Sequence, residues 1–305
     1  MNMSNATGRE ARPRSAHRRT GYWPFLIPGL LLVGLVVAVP LLMTVGTSFT
    51  EWSGVGTPRW TGLDNYDRLL HDDRFWLSFK NIAFMIVAMA VVPTLLGLFL
   101  AALLFDYVAP RLGGRTARAL RSGFYLPQVL PLAVTGIVWS WILNPNYGVL
   151  NSILDRVGLG VLARNWLGDE RYALYTVMAV MVWVQIGYPV VMFMAGLQRV
   201  DPEQYEAASL DGAGWWQRFT RIAVHQIRPE IGVVLITTTI AALKVFAQIF
   251  VLTGGGPGGS TMVPSYFAWQ QYFGSVNVGY ASAISTVLAV LIVALTFAFI
   301  RVQTR

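Results

Sequence analysis

Long apolar segments constrain the fold of this chain more than any other feature. Six of them occupy residues 23–48, 82–105, 120–143, 172–197, 231–252 and 278–300. Each is long enough for the roughly 20 helical residues that cross a hydrocarbon core about 30 Å thick. Charged residues make up only 12% of the 305 residues, whereas soluble domains carry about 25%. We therefore predict an all-α integral membrane protein with six transmembrane helices.

Several of these segments contain proline, namely Pro40, Pro93, Pro127, Pro131 and Pro189. Membrane helices tolerate proline where neighbouring groups satisfy the freed backbone atoms, so we expect all six segments to span. The first segment is too long for a cleaved signal peptide and lacks a small-residue cleavage site after it. Residues 21–305 then form one transmembrane domain.

The distribution of positive charge predicts the orientation. Of the 23 Lys and Arg residues, 15 lie in the N-terminus, residues 106–121, residues 199–229 and the C-terminus. The positive-inside rule places these segments, and both termini, in the cytoplasm. We expect residues 1–20, which are polar and rich in Arg, to form a disordered cytoplasmic tail that sets topology rather than one that mainly binds membrane lipid. Because the Arg residues cluster beside the spans, the net charge of +8 does not indicate nucleic-acid binding.

The longest of the predicted cytoplasmic loops, residues 199–229, has the pattern of a helix–turn–helix. Asp201 can cap a helix, Pro202 suits its first position, and Gln204 can reach back to the cap. Gly212 and Gly214 end this short helix. A second stretch follows, with Trp215, Trp216, Phe219 and Ile222 as its apolar residues. We interpret the first half as a compact knob that docks into another protein. The second half could instead lie on the membrane with its aromatic residues as anchors.

The loop resembles the EAA loop of ABC importer permeases. Glu206, Ala207 and Ala208, followed by Gly212 and Ile222, stand at that motif's spacing. Two further segments are similar to the maltose and glycerol-phosphate branch of the family; they are Gly62–Tyr66 with Phe75, Trp76 and Asn81, and Leu252–Thr261 with Gly279–Ser282. The resemblance covers most of the chain.

The resemblance implies a subunit of a prokaryotic cytoplasmic-membrane importer. Its partners would be a second permease subunit, two ATPase subunits and an external solute-binding protein. The ATPases, not this chain, would bind ATP and Mg²⁺. The residues implied to couple to the ATPase are Glu206, Ala207, Ala208, Asp211 and Gly212. The implied solute is a carbohydrate or a related polyol; a non-sugar solute is the alternative, and a secondary carrier is less favoured because the span cores contain no Asp or Glu.

The chain departs from the family pattern at two positions. His225 stands where the loop motif usually has proline, and Pro229 follows four residues later. We expect this change to loosen the second helix of the loop while leaving the first intact. Ala247 stands where the family often has Asp, so no role of that Asp is carried over.

The sequence lacks a recognisable catalytic or metal site. The glycine-rich run 254–261 has Ser260 where a nucleotide-binding loop needs Lys, and it is predicted to be an external flexible connector. His17, His71 and His225 do not have metal-ligand spacing. The sequence contains no cysteine, which excludes disulfides and thiolate ligands. We expect no catalytic residue, no bound metal and no cofactor in this chain.

Polar residues inside two predicted spans are candidates for the solute path. Lys244 lies within the fifth span, and Thr237 and Gln248 share its face, at i−7 and i+4. Gln185 and Tyr188 form a second polar pair in the fourth span. A charge near mid-membrane costs about 2.5–3.5 kcal/mol on insertion scales and usually faces a watery path. We hypothesise that these five residues line the path and that Lys244 attracts a hydroxyl-rich or anionic solute; alternatively, Lys244 pairs with a backbone carbonyl or with the partner subunit.

Overall fold

The computed structural model describes residues 23–303, which are mostly helical. The helices are α1 (Phe25–Thr47), α2 (Asp64–His71), α3 (Asp73–Val129), α4 (Leu132–Ile142), α5 (Val149–Arg156), α6 (Ala173–Leu197), α7 (Pro202–Leu210), α8 (Trp215–Gln226), α9 (Arg228–Leu243), α10 (Ala247–Leu252), α11 (Pro264–Trp269) and α12 (Val278–Gln303). Two short antiparallel strands, β1 (Thr50–Glu51) and β2 (Arg59–Trp60), pair after α1.

The contacts separate an N-terminal unit that ends at Met43 from a main unit that begins at Thr44. In the N-terminal unit, the large apolar side chains of α1 are exposed, for example Phe25, Leu31 and Leu35. An exposed apolar helix of this length suits a lipid surrounding. The side-chain contacts described below lie within the main unit.

Within residues 23–303, α1, α3, α6 and α12 are long and apolar enough to cross a membrane. The count becomes five if α8 and α9, which meet at an angle of 70°, cross as one bent span. Helices α1, α6 and α12 coincide closely with three of the predicted spans, and α3 contains a fourth. The structure therefore supports a multi-pass helical membrane protein, while the predicted number of six continuous spans is not reached.

The predicted span 120–143 is broken in the middle. Helix α3 ends at Val129, and Leu130 adopts an extended backbone with φ −67° and ψ 137°. Pro131 explains this conformation, since proline disfavours the helical conformation in the residue before it. The prediction of one continuous helix was wrong here. The first half of the predicted span lies at the end of α3, beyond a kink at Gly113. The second half is the short apolar helix α4.

The predicted span 231–252 is broken as well, so that prediction also fails at this point. Helix α9 ends at Leu243, and Phe246, with φ −142° and ψ −58°, precedes the short helix α10. The hydroxyl of Ser265 donates a hydrogen bond to the carbonyl of Val245. This bond satisfies a backbone group that the break leaves without a helical partner, which lowers the cost of breaking the helix.

Residues of the family motifs organise the loops that are predicted to be external. The Asn65 side chain donates to the carbonyls of Ser48 and Thr50, both at 2.9 Å. Asn81 donates to the carbonyl of Met262 at 2.9 Å. A Cβ on Gly279 would lie only 1.9 Å from the carbonyl oxygen of Thr50, so only glycine fits there. These residues are structural.

The glycine-rich run 254–261 is tied together by its own hydrogen bonds. Thr261 is fully buried, donates to the carbonyl of Gly256 at 2.9 Å, and lies 2.7 Å from the hydroxyl of Thr253. Four glycines in this run have a positive φ, a conformation that glycine adopts at little cost. The expected flexible connector is therefore a turn of defined shape that Asn81 joins to α3.

Two clusters of buried apolar side chains hold the main unit together. The first joins α3, α6 and α9 to α12 through residues such as Met85, Met181, Leu243 and Ile284. The second packs α8 and the start of α9 against α3 and α6. The helix–turn–helix is thus anchored to the bundle by its second helix.

Candidate functional site

A cavity of about 430 Å³ lies beside both helix breaks. Gln128 and Leu132 line it on either side of the first break, and Lys244 to Gln248 line it along the second. Helix α6 contributes Gln185. The structure thus brings together three of the five predicted path residues, Gln185, Lys244 and Gln248, with a fourth polar residue, Gln128.

The polar groups of the cavity are not all satisfied by the protein. Gln248 is 2% exposed, and its Nε2 has no hydrogen-bond partner among the described residues; the buried Oε1 of Gln128 has none either. An unpartnered buried amide costs about 1–3 kcal/mol. One unpartnered atom is a donor and the other an acceptor. A hydroxyl group, which both donates and accepts, can satisfy either.

Lys244 ends helix α9 instead of lying within a helix, and its side chain is exposed. Its own N–H bonds to the carbonyls of Ile240 and Ala241 at 3.2 and 3.3 Å. The C-terminus of a helix carries partial negative charge, which favours an ammonium group nearby. The helix end and the cavity together explain how a lysine is accommodated in this apolar region.

The other two predicted path residues form a separate pair. The Thr237 hydroxyl donates to the Tyr188 hydroxyl at 3.2 Å and also contacts carbonyls of its own helix. Neither residue lines the cavity. Gln128 was missed by the sequence reasoning, although a polar side chain between Pro127 and Pro131 in an apolar segment was a visible signal.

The first half of the loop forms the helix α7 with defined ends. The Asp201 carboxylate accepts from the N–H of Glu203 at 3.0 Å, which caps the helix as expected. Gln204 does not complete the predicted capping pattern, because its side chain accepts from Gln226 instead. At the other end, the N–H of Gly212 bonds to Ser209 at 3.1 Å, and the next N–H bonds to Ala208 at 2.9 Å. This pair of bonds is a Schellman motif.

The predicted coupling residues lie on the outer surface of this element. Glu206, Ala207, Asp211 and Gly212 are exposed, and Ala208 is half-buried. Leu210 is 90% exposed, which the sequence reasoning did not anticipate. An apolar side chain is thus held out into solvent on the same short element as the acidic Glu206 and Asp211. We call residues 206–212 the knob.

The second helix, α8, is buried on one side. Phe219 is 5% exposed, and its ring stacks on Trp215 at a centroid distance of 5.3 Å. Both residues pack into the bundle, which argues against their role as anchors on a membrane surface; Trp216 is exposed. Helix α8 continues through His225, so the expected loosening at this position is not seen. The chain turns at Ile227, and Pro229 lies in the first turn of α9.

Apolar helices long enough to span a membrane, a cavity between them with four polar side chains and an exposed helix–turn–helix are typical of a transport permease. The sequence profile of the family described as "binding-protein-dependent transport system inner membrane component" matches residues 111–305. The chain belongs to this family, whose members are permeases rather than enzymes. The resemblance to ABC importer permeases inferred from the motifs is thereby confirmed. Among residues 23–303, no group of three His, Asp or Glu side chains could hold a metal ion.

Relatives in several organisms match nearly the whole chain. A probable ABC transporter permease protein of Pyrococcus horikoshii is 36% identical over 87% of this chain and 89% of the relative. A trehalose/maltose transport system permease protein of Thermococcus litoralis is 34% identical over 91% of both chains. A bacterial ABC transporter involved in the import of the polysaccharide alginate has a similar fold, with a TM-score of 0.80, 21% identity, and coverage of 94% of this chain and 96% of that one.

Proposed function

We propose that this chain is a permease subunit of an ABC importer and forms half of the translocation path for a carbohydrate or related polyol. The names of relatives support this solute class, since they include trehalose/maltose and sulfoquinovosyl glycerol permeases. The observation that carries the proposal is the cavity, where three glutamines and a lysine meet. Amide and ammonium groups together offer the donors and acceptors that a hydroxyl-rich solute requires.

Lys244 gives the cavity a positive charge. It attracts hydroxyl oxygens or an acidic group on the solute. The alternative is a structural lysine that neutralises the end of α9 or meets the partner subunit. Tyr188 is half-buried and Thr237 is exposed. These two residues would extend the path beyond the cavity.

The assembly contains partners that supply energy and solute. They are a second permease subunit, two ATPase subunits that bind ATP and Mg²⁺, and an external solute-binding protein. A solved alginate transporter in complex with a periplasmic protein bound to an alginate pentasaccharide supports the last partner. In the orientation given by the positive charges, both termini and residues 199–229 are cytoplasmic. The predicted tail, residues 1–20, lies outside the described residues, and we assign residues 21–305 as the permease domain in a prokaryotic cytoplasmic membrane.

Energy enters this chain at the knob. Glu206, Leu210 and Gly212 are exposed, so a groove of an ATPase subunit can receive them without unfolding α7. Closure of the ATPases on ATP would then move the loop and rock the spans between inward- and outward-facing states. This chain converts motion and does not hydrolyse ATP.

Substitution of cavity residues tests the path. In the reconstituted importer, we expect Gln248→Leu to raise the KM for solute about tenfold, the effect of losing roughly one hydrogen bond. Lys244→Met should impair uptake while the complex still assembles. Lys80→Met is the matched control, because Lys80 is exposed and lies outside the cavity. Normal uptake by both cavity variants would contradict the proposal that the cavity forms part of the solute path.

The docking of the knob is tested separately. Glu206→Lys should abolish the stimulation of ATPase activity by solute and its binding protein, because it reverses a charge at the contact. Glu203→Lys, an exposed change in the first turn of the same helix, should retain more of that stimulation. Full coupling in Glu206→Lys would contradict the assignment of the knob as the ATPase contact. Identification of the ligand of the co-encoded binding protein would define the solute.

A further inference from the structure

A hydrogen bond joins the helix–turn–helix to the long helix α3. The indole Nε1 of Trp215 donates to Oδ2 of Asp106 at 2.8 Å, across 109 residues of sequence. Both side chains are half-buried. A hydrogen bond to a charged acceptor in a partly buried place is stronger than one between neutral groups. The contact therefore fixes both the position and the rotation of the indole.

Aromatic packing reinforces this bond. The Trp215 ring is parallel to Phe219 of its own helix, with an interplanar angle of 1°. The Trp215 ring also contacts two rings of α3, with centroid distances of 5.7 Å to Tyr107 and 6.4 Å to Phe99. The Trp215 ring is thus held by Phe219 of its own helix and by the two rings of α3. A displacement of α8 must displace α3 or break these contacts.

A second set of contacts connects α8 to the knob. The Arg218 guanidinium donates to the Ser209 hydroxyl at 3.2 Å and lies 6.0 Å from the centre of the Tyr205 ring. Burial, together with the charge of Asp106, raises the pKa of Tyr205 to about 12, so its hydroxyl stays neutral. Helices α7 and α8 are also joined by the bond between Gln204 and Gln226. These links make the two helices one mechanical body.

Helix α3 extends from this contact to the cavity. Asp106 and Met89, which lines the cavity wall, both lie in the part of α3 before the kink at Gly113. The contacts therefore run from the knob through Arg218 to α8, and from Trp215 through Asp106 to α3. The base of the loop is closed by the ion pair of Arg199 with Glu230, which limits independent swinging of the loop.

We propose that the hydrogen bond between Trp215 and Asp106 is a latch that transfers movement of the knob to α3 and so to the cavity wall. Asp106 acts as a positioning residue, since it works through Trp215 and does not contact solute or ATPase. This inference rests on the proposed function, because it assumes that the knob is moved by an ATPase. It adds a specific route by which that movement reaches the solute path.

Transport stoichiometry in proteoliposomes tests the latch. The complete importer, with its ATPases and binding protein, would carry Asp106→Leu, which removes the acceptor at similar size, or Trp215→Phe, which keeps a ring but removes the donor. We expect the solute imported per ATP hydrolysed to fall roughly tenfold while the ATPase subunits still co-purify. Asp106→Asn, whose amide oxygen accepts from the indole, should restore most of the ratio.

Distance measurements supply a readout that mere destabilisation would not give. The sequence has no cysteine, so spin labels can be placed at Glu203→Cys in α7, outside the knob, and at Leu112→Cys in α3, both exposed sites. In Asp106→Leu, the distance distribution between α7 and α3 should broaden, and in Asp106→Asn it should stay narrow. Trp216→Phe, a change at the exposed neighbour, is the control and should leave both readouts unchanged.

The two hypotheses fail in different ways. If Glu206→Lys uncouples the importer but Asp106→Leu changes neither the transport ratio nor the distance distribution, the latch is refuted and the knob assignment stands. If Glu206→Lys leaves coupling intact, the knob is not the ATPase contact, and the proposed function of the loop fails first.

Discussion

At Gly212 the backbone has a φ of +78°, a left-handed conformation. L-amino acids adopt the left-handed conformation at a cost of about 1 kcal/mol or more, and β-branched residues fit it worst. A Cβ at this position would meet no other atom within 4 Å. Backbone conformation alone therefore decides which residues can end α7 and hold the knob in shape.

This conformation predicts an order among substitutions at Gly212. We expect Gly212→Val to reduce solute-stimulated ATPase activity of the assembled importer several-fold, because the strained turn displaces the knob. Gly212→Asn should keep most of the activity, since asparagine tolerates left-handed backbone. Equal activity in the two variants would show that the turn is not required for coupling.

Residue types and spacing predicted the position of the knob, but not every side chain that matters in it. Glu206 and Gly212 followed from the motif, whereas the exposure of Leu210 could not be read from the sequence. The bond between Trp215 and Asp106 joins positions 109 residues apart. Such a contact depends on how helices pack, which one sequence does not reveal without its relatives.

At the scale of helices, close packing rests on glycines that permit backbone contact. A Cβ on Gly187 of α6 would lie 2.3 Å from the carbonyl oxygen of Phe124 in α3. A Cβ on Gly97 of α3 would lie 2.5 Å from the Cβ atom of Pro189 in α6. Small residues at such contacts let membrane helices approach closely. Helices α3 and α6 therefore behave as one tightly packed pair.

We expect Gly187→Ala to destabilise the importer, because the added methyl group forces α3 and α6 apart; overpacking typically costs about 1–3 kcal/mol. Thermal denaturation of the detergent-purified complex should show a lower Tm. Gly123→Ala, in the same α3 but with no atom within 4 Å of its Cβ, is the control. An unchanged Tm in Gly187→Ala would mean that the two helices are not in contact there.

Helix breaks were harder to predict than helices. Purely apolar segments gave α1, α6 and α12 correctly, because length and hydropathy suffice for them. Pro131 was a visible signal for the first break, yet proline is also compatible with an unbroken membrane helix. The second break has no glycine or proline between Leu243 and Ala247. It depends on packing and on the bond from Ser265, neither of which is local.

For the whole molecule, the proposed orientation places residues 199–229 and residues 144–171 on opposite sides of the membrane. Leu210 and Val161 are 90% and 92% exposed, one in each segment. Since the natural sequence lacks cysteine, single cysteines at these positions give a matched pair of reporters.

A membrane-impermeant thiol reagent should label Val161→Cys in intact cells but not Leu210→Cys. In inverted membrane vesicles prepared without the ATPase subunits, which would otherwise cover Leu210, the result should reverse. The reason is the excess of Lys and Arg on the side assigned to the cytoplasm. Labelling of both variants from the same side would contradict the six-span topology and the cytoplasmic position of the knob.

The two helix breaks have a mechanical consequence for gating. In the proposed orientation, α4 and α10 are the outer halves of two interrupted spans, and they lie close together, because a Cβ on Gly136 would be 2.8 Å from a methyl group of Val251. The pair can pivot as a single flap above Gln128 and Lys244, which lie at the ends of the longer inner halves. The turn after Thr253 continues directly from α10. A protein that binds this turn from outside can therefore move α10 and with it the outer wall of the cavity.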